Sequence, residues 1–241
     1  MRFVIARNER VAKNVFDMRL EGDTSGITRP GQFVQVQVPG FYLRRPISVC
    51  DWAEGSLRLI YKTVGHGTEA MSQMPAGTEL DLLTGLGNGY RVQPGRAPLL
   101  VGGGVGAPPL YGLCKRLIEA GQRPAVALGF QTADEIFLKE DFEALGAKVL
   151  LSTADGTAGA KGFVTAAIRE SGIAYDYLYA CGPEPMLKAV YDLGPTDGQY
   201  SFEERMACGF GACMGCSCKT KYSSKRICKD GPVLGREEIV W

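Results

Sequence analysis

Cys208, Cys213 and Cys216 follow the spacing C-x4-C-x2-C, and Cys228 returns to them from a later segment. Three thiols on one loop plus a distant fourth is a spacing that holds a [2Fe–2S] cluster. The residues between them suit that use. Gly209, Gly211 and Gly215 let backbone amides approach sulfide, and their N–H groups can offset the cluster's negative charge. Structural zinc is the alternative for the same cysteines. Zinc favours two C-x2-C knuckles or mixed Cys/His sets, whereas only Cys213 and Cys216 form such a pair and the single histidine, His66, is remote in sequence. A Rieske centre needs two histidines and is excluded by that count. Cys218 follows Cys216 too closely for both to serve one cluster, and reads as non-ligating.

Three other segments carry polar or close-approach chemistry. Leu43-Arg44-Arg45-Pro46-Ile47-Ser48 places two guanidinium groups before a strand, where they suit a diphosphate or, more blandly, a solvated edge. Downstream, Ile60-Tyr61-Lys62 and Gly65-His66-Gly67-Thr68 supply a strand and a glycine turn into a helix, whose amides and Thr68 hydroxyl can receive phosphate. Val101-Gly102-Gly103-Gly104-Val105-Gly106-Ala107-Pro108-Pro109 is a close-approach loop, though not a strict G-x-G-x-x-G. In Tyr179-Ala180-Cys181-Gly182-Pro183-Glu184-Pro185-Met186, a strand ends at a cysteine that on its own reads as a buried small hydrophobe. The acidic loops Gln131-Thr132-Ala133-Asp134-Glu135 and Thr153-Ala154-Asp155-Gly156 would repel a 2′-phosphate, which favours NAD over NADP.

These segments need a scaffold, and the hydrophobic pattern outlines it. Val34, Val36 and Val38 alternate with Gln35 and Gln37, and Leu57, Leu59 and Tyr61 with Arg58 and Lys62. That period of two belongs to half-buried strands. Turn signals at Arg29-Pro30-Gly31, Pro39-Gly40, Glu54-Gly55 and Pro75-Ala76-Gly77 separate short runs, which predicts a small antiparallel barrel over residues 1–96. From 97 to 199 strands and helices alternate: strands at Leu99–Val101, Ala125–Phe130, Lys148–Ser152 and Tyr177–Ala180, helices at Pro109–Ala120, Asp134–Ala144, Val164–Glu170 and Pro185–Leu193. This predicts a Rossmann-like, doubly wound parallel sheet. Residues 200–241 are rich in Cys and Gly and too few to fold without a metal.

Composition narrows the class. Of 241 residues 45% are hydrophobic, enough for a sizeable core, and a net charge of +1 offers no general field for nucleic acid or acidic lipid. The amino-terminal stretch lacks a signal-peptide pattern, and the apolar tract Pro98–Leu113 is broken by glycine and proline, so a soluble, cytoplasmic protein is expected. A cysteine cluster in such a setting reads as metal binding rather than as disulfides.

The R-P-I-S segment resembles the R-x-Y-S motif of the ferredoxin–NADP reductase family, whose barrel binds flavin. The resemblance implies that Arg45 pairs with the flavin pyrophosphate and Ser48 faces the reactive ring nitrogen. It puts Pro46, Ile47, Ile60, Tyr61, Lys62, Gly67 and Thr68 around FAD, and Gly102, Gly103, Gly104, Gly106, Cys181, Gly182 and Pro183 around NAD. Ile47 replaces the usual stacking aromatic. The order of parts, with Gly85-Leu86-Gly87-Asn88-Gly89-Tyr90, Glu204-Arg205-Met206-Ala207-Cys208 and Cys228-Lys229-Asp230-Gly231-Pro232-Val233, is similar to the electron-transfer subunits of class B, NAD-linked dihydroorotate dehydrogenase. That family implies a heterotetramer of two plus two with an FMN-containing catalytic subunit. Electrons from dihydroorotate oxidation, in pyrimidine biosynthesis, pass through [2Fe–2S] and FAD to NAD⁺. Hydride transfer itself calls for no catalytic acid or base, so none is assigned, His66 included. The rival readings are a related flavin and iron–sulfur subunit serving another partner, such as a ferredoxin–NADP transhydrogenase, a sulfur-reducing hydrogenase or free ferredoxin, and a zinc-bearing binding module on a degenerate reductase scaffold.

Overall fold

A computed structural model describes residues 1–241. Its first half is a closed antiparallel barrel of β1 (Arg2–Ala12), β2 (Val15–Gly22), β3 (Phe33–Val36), β4 (Arg45–Ala53), β5 (Ser56–Lys62) and β6 (Glu79–Leu86), with α1 (His66–Ser72) between the last two. The strands run β1-β2-β5-β4-β3-β6 around the barrel, so no edge is left to pair with another chain. Period-two patterning fills it: Phe3, Ile5, Met18, Leu20, Val34, Val36, Leu57 and Leu59 point inward as one apolar cluster.

The second half is built from β7 (Pro98–Gly103), α2 (Pro108–Glu119), β8 (Ala125–Phe130), α3 (Lys139–Ala144), β9 (Lys148–Thr153), β10 (Ala160–Lys161), α4 (Val164–Ser171), β11 (Tyr177–Cys181), α5 (Glu184–Tyr191) and β12 (Gly198–Ser201). α2 shows why it forms: prolines occupy its first turn, and Leu110, Leu113, Cys114 and Leu117 bury one stripe. Gly121, at φ +77, ends it. With β15 (Val233–Gly235) from the tail, the sheet order is β10-β9-β8-β7-β11-β12-β15, so the topology reverses between β7 and β11, where such sheets bind ligands.

The tail forms a hairpin of β13 (Ser217–Lys219) and β14 (Ser224–Arg226), then β15 (Val233–Gly235). β15 lies antiparallel to β12 and completes the sheet, while Ile227, Cys228, Leu234 and Ile239 share an apolar cluster with Val101 and Leu187. The cysteine segment is therefore held by strand pairing and packing as well as by its thiols. No helix is long and apolar enough to cross a membrane.

The structure departs from the pattern-based reading at three places. Gln35 and Arg58, read as the wet sides of half-buried strands, are both buried. The tail covers the outer face of β3, and the nucleotide domain covers that of β5. There Arg58 meets Asp17 at 2.8 Å and Asp141 at 3.0 Å, with its guanidinium 5.4 Å from the Tyr111 ring centre. The helix expected over Asp134–Ala144 is broken: a single 3-10 turn at Ala133–Glu135 is followed by a non-helical stretch that begins with extended Ile136, and α3 starts at Lys139. Phe137 and Leu138 are both buried there, and Leu138 takes φ +63 to bring this about. Core packing outweighs helical continuity.

Arg58 and Asp17 should behave as a buried pair. Arg58→Met leaves Asp17 with only the more exposed Arg19, 3.2 Å away, as a partner and is expected to cost about 3 kcal/mol in urea unfolding, whereas Arg58→Met with Asp17→Leu should recover most of that loss.

Candidate active site and thiol loop

The barrel strands and sheet strands end at a common cleft. One cavity there, of about 340 Å³, is walled by Arg45, Pro46, Ile47 and Ser48 from β4 and by Ile60, Tyr61 and Lys62 from β5. Thr68 of α1 and Cys181 of β11 also line it. Residues far apart in the chain that were expected around FAD thus share one wall with a cysteine expected near NAD. Arg45 is held in place: its guanidinium sits 4.7 Å from the Phe41 ring centre and directly over Gly67, where any added Cβ would collide with it. Gly67 thus acts beneath the wall rather than in it. The Thr68 hydroxyl is occupied locally, donating to the Gly65 carbonyl at 2.9 Å and accepting from the Val64 amide at 2.9 Å. What the turn offers a phosphate is therefore backbone amide rather than a spare hydroxyl donor.

A second cavity of about 520 Å³ opens at the switch between β7 and β11. Gly103, Gly104 and Gly106 line it with Pro183 and Met186. The glycines there are needed for space, since a Cβ on Gly106 would strike the Cys181 carbonyl and one on Gly103 the Met186 sulfur. Gly102 does not reach this cavity. It is a buried strand residue opposite Cys181 and Leu128. Gly182 lines an adjoining hollow instead. Burial pushes the Cys181 thiol up to about 12, so it presents a neutral, compact surface rather than a nucleophile. The two cavities meet along Lys62, Val105 and Glu203. Lys62 pairs with Glu135 at 3.0 Å, linking the barrel to the 3-10 turn after β8. His66 lies outside both cavities, 93% exposed, with its ring nitrogen 3.3 Å from Glu69.

Sequence reasoning missed part of this site. Phe33, Val105 and the run Ser201–Glu204 also line the first cavity; Val105 belongs to the glycine loop and Glu204 opens the cysteine motif, but no local motif marks Phe33 or Ser201–Glu203. Only β12 pairing with β11 carries Ser201 to the cleft.

The four thiols come as two pairs. Cys208 neighbours Cys213, and Cys216 neighbours Cys228. Backbone amides point at them: Ala212 and Cys213 donate to the Cys208 sulfur at 3.3 and 3.4 Å, and Cys228 donates to the Cys216 sulfur at 3.4 Å. Burial resists ionisation of Cys208, but these amides and that of Phe210, with the Cys213 thiol, bring it down to about 6. Cys228 is pushed up to about 12 by burial and by the Cys216 thiol. Two thiol pairs, each met by backbone amide donors, suit an iron–sulfur cluster. Cys218 stands apart on β13, opposite Lys225.

Two side chains fix this loop. Arg226 grips Asp230 through Nε at 2.9 Å and Nη2 at 3.1 Å, and donates to the Gly211 carbonyl at 3.0 Å. Asn88, beyond the end of β6, bonds the carbonyls of Asp230 and Val233 at 3.1 and 2.8 Å and tethers the tail to the barrel.

The chain matches two family models. Residues 203–240 match the iron–sulfur cluster binding domain of dihydroorotate dehydrogenase B, and residues 100–192 the oxidoreductase NAD-binding domain. It is 43% identical to the electron transfer subunit of dihydroorotate dehydrogenase B (NAD(+)) from Geobacillus sp. (strain WCH70), covering 98% of this chain and 96% of that one. The subunit of the same name from Fusobacterium nucleatum is 41% identical over the same shares. Among solved structures, a chain of NADH-dependent reduced ferredoxin–NADP oxidoreductase superposes with TM-score 0.90 and 32% identity, over 99% of this chain and 89% of its own. A ferredoxin reductase of carbazole 1,9a-dioxygenase, at TM-score 0.69 and 20% identity over 80% of this chain and 64% of its own, shares the fold.

The packing of Arg45 on Gly67 gives a direct check. Gly67→Ala should displace the guanidinium and weaken FAD binding by about ten- to a hundred-fold, the range of one charged hydrogen-bonded contact. The unfolding midpoint should barely move, since alanine suits a helix better than glycine. Flavin-fluorescence titration of the apoprotein and a denaturation curve provide the two readouts.

Proposed function

The chain belongs to the electron-transfer subunits of dihydroorotate dehydrogenase B, and from that premise we propose that it takes electrons from a catalytic partner at its thiol loop and delivers them, by way of flavin, to NAD⁺. The partner carries FMN and oxidises dihydroorotate to orotate, a step of pyrimidine biosynthesis, and two copies of each subunit form a heterotetramer. The observation that carries this reading is adjacency. The first cavity shares Lys62, Val105 and Glu203 with the second, and shares Phe33 with the apolar cluster in which Cys216 and Cys228 are buried.

Once bound, flavin would collect two single electrons from the iron–sulfur centre and pass them on together as a hydride, the only form in which NAD⁺ accepts them. The chain's own residues position them. Cys208 and Cys213 would hold one iron and Cys216 and Cys228 the other. The Arg45 fork would take the FAD diphosphate, as its charge and paired donors favour. Ser48 would face the flavin ring, and Ile47, Ile60 and Tyr61 would keep water from it. The loop at Gly103, Gly104 and Gly106, with Pro183, would receive the nicotinamide nucleotide. The acidic side chains Asp134, Glu135 and Asp155 after β8 and β9 support NAD over NADP. Cysteines clustered for metal binding rather than for disulfides fit a reducing compartment, and we place the protein in the cytoplasm on that basis. The domain limits 1–96, 97–199 and 200–241 belong to the same proposal, with β15 lending the third unit to the sheet of the second.

A second reading, a subunit passing electrons between nicotinamide and ferredoxin-type partners, is favoured by the superposition on NADH-dependent reduced ferredoxin–NADP oxidoreductase. The higher identity to the dihydroorotate dehydrogenase B subunits places it second.

The complex isolated from its native source should reduce NAD⁺ when given dihydroorotate. Reduction of NAD⁺ by another donor, with no response to dihydroorotate, would select the second reading. Within the complex, Cys213→Ser should abolish iron–sulfur absorption and dihydroorotate-driven NAD⁺ reduction, yet leave NADH-driven reduction of an artificial dye. Loss of that dye activity from a folded, FAD-loaded variant contradicts the proposed order.

A further inference from the structure

Gln35 lies within β3, between Pro46 of β4 and Leu83 of β6. Val34 and Val36 fill the barrel interior, so Gln35 and Phe33 face outward together. That face is not wet. Gln35 is wholly buried, and neither its Nε2 nor its Oε1 has a hydrogen-bond partner in the chain. A carboxamide kept unpaired away from water is costly, and buried polar groups in folded proteins are nearly all satisfied.

The neighbour of this carboxamide is the thiol loop. A Cβ built on Gly209 would lie 2.5 Å from Gln35 Nε2, 2.7 Å from its Cγ and 2.9 Å from its Cδ. Gly209 is therefore glycine for two reasons, its φ of +78 and the space that Gln35 occupies. It directly follows Cys208, whose sulfur already takes two backbone amides. Phe33, on the same face, lines the flavin cavity. One strand face thus touches both proposed redox sites, with its only polar side chain aimed at the loop of one.

We propose that Gln35 is a positioning residue for the iron–sulfur site, its carboxamide N–H donating to a sulfur of the loaded Cys208 loop. The inference rests on the iron–sulfur reading given above. Such a donor stabilises the more negative, reduced form and so raises the reduction potential of the site. It comes from the flavin barrel rather than from the tail, so the fit between the two modules sets how readily the site accepts an electron.

The test is a redox titration of the full chain, purified with its iron and FAD, followed by electron paramagnetic resonance. Iron and acid-labile sulfide in the unmodified protein come first, since their absence sinks the underlying reading rather than this one. Gln35→Met keeps the length and removes both polar atoms. It should retain iron and FAD and leave the flavin potential in place. At a fixed potential the reduced-to-oxidised ratio of the iron–sulfur site should fall about ten-fold, a shift of about 59 mV for a one-electron couple. Gln35→Glu, which withdraws both N–H donors at constant volume, should shift it the same way, and carries the measurement if the Met variant loses iron. An unmoved potential in an iron-loaded variant overturns the proposal. So does a shift shared equally by flavin and iron–sulfur site, or loss of iron from both variants with FAD retained, which would make Gln35 a packing residue only.

Discussion

The closeness of the first cavity to the thiol loop depends on β3 having no solvent face. Val34 and Val36 look into the barrel, and Phe33 and Gln35 look out onto the cysteine segment. A strand of four residues serves as a party wall between two modules. The first cavity and the buried cysteines are neighbours because little but this wall separates them. An ordinary half-wet barrel strand would leave room for water where the two sites need protein.

The rest of the assembly keeps that wall in register. Tyr90, buried at the end of the barrel segment, donates to the Ala180 carbonyl on β11 at 2.9 Å. Lys115 of α2 meets Asp51 of β4 at 2.6 Å. Lys62 and Glu135 join the modules at the point where the two cavities touch. Asn88 holds the tail with four hydrogen bonds, three of them through its side-chain amide. Several of these links are buried or polar on both sides, so they fix orientation more than they add stability. For electron transfer, orientation and separation are what the protein controls, while the chemistry belongs to the bound groups.

Much of this was legible in the amino-acid sequence, for physical reasons that are local. Cysteine spacing, the R-P-I-S strand start, the glycine run after β7 and the Cys-Gly-Pro at the end of β11 are short-range patterns, and the structure brings them to one cleft and one loop. The parallel sheet was legible because apolar strands and capped helices alternate. What escaped depends on contacts between distant segments. Gln35 looks like a wet strand residue until the tail covers it, and Arg58 until Asp141 arrives from α3. Leu138 looks helical until the core claims it. Glu203 and Phe33 sit in no motif, and only strand order brings them to the site. Local pattern also did not show that the Thr68 hydroxyl caps its own turn or that Gly102 lies inside a strand.

The placement of β15 also bears on how the molecule is made. This strand, Val233–Gly235, completes the sheet edge beside β12 and comes later in the chain than all four clustered cysteines. A nascent chain emerges amino end first, so the nucleotide-binding sheet keeps a bare edge until the thiols have been synthesised and brought back against it. Maturation of the nucleotide half and arrival of the iron-binding loop are thereby one event, and a polypeptide halted before Val233 would display an open strand that invites aggregation.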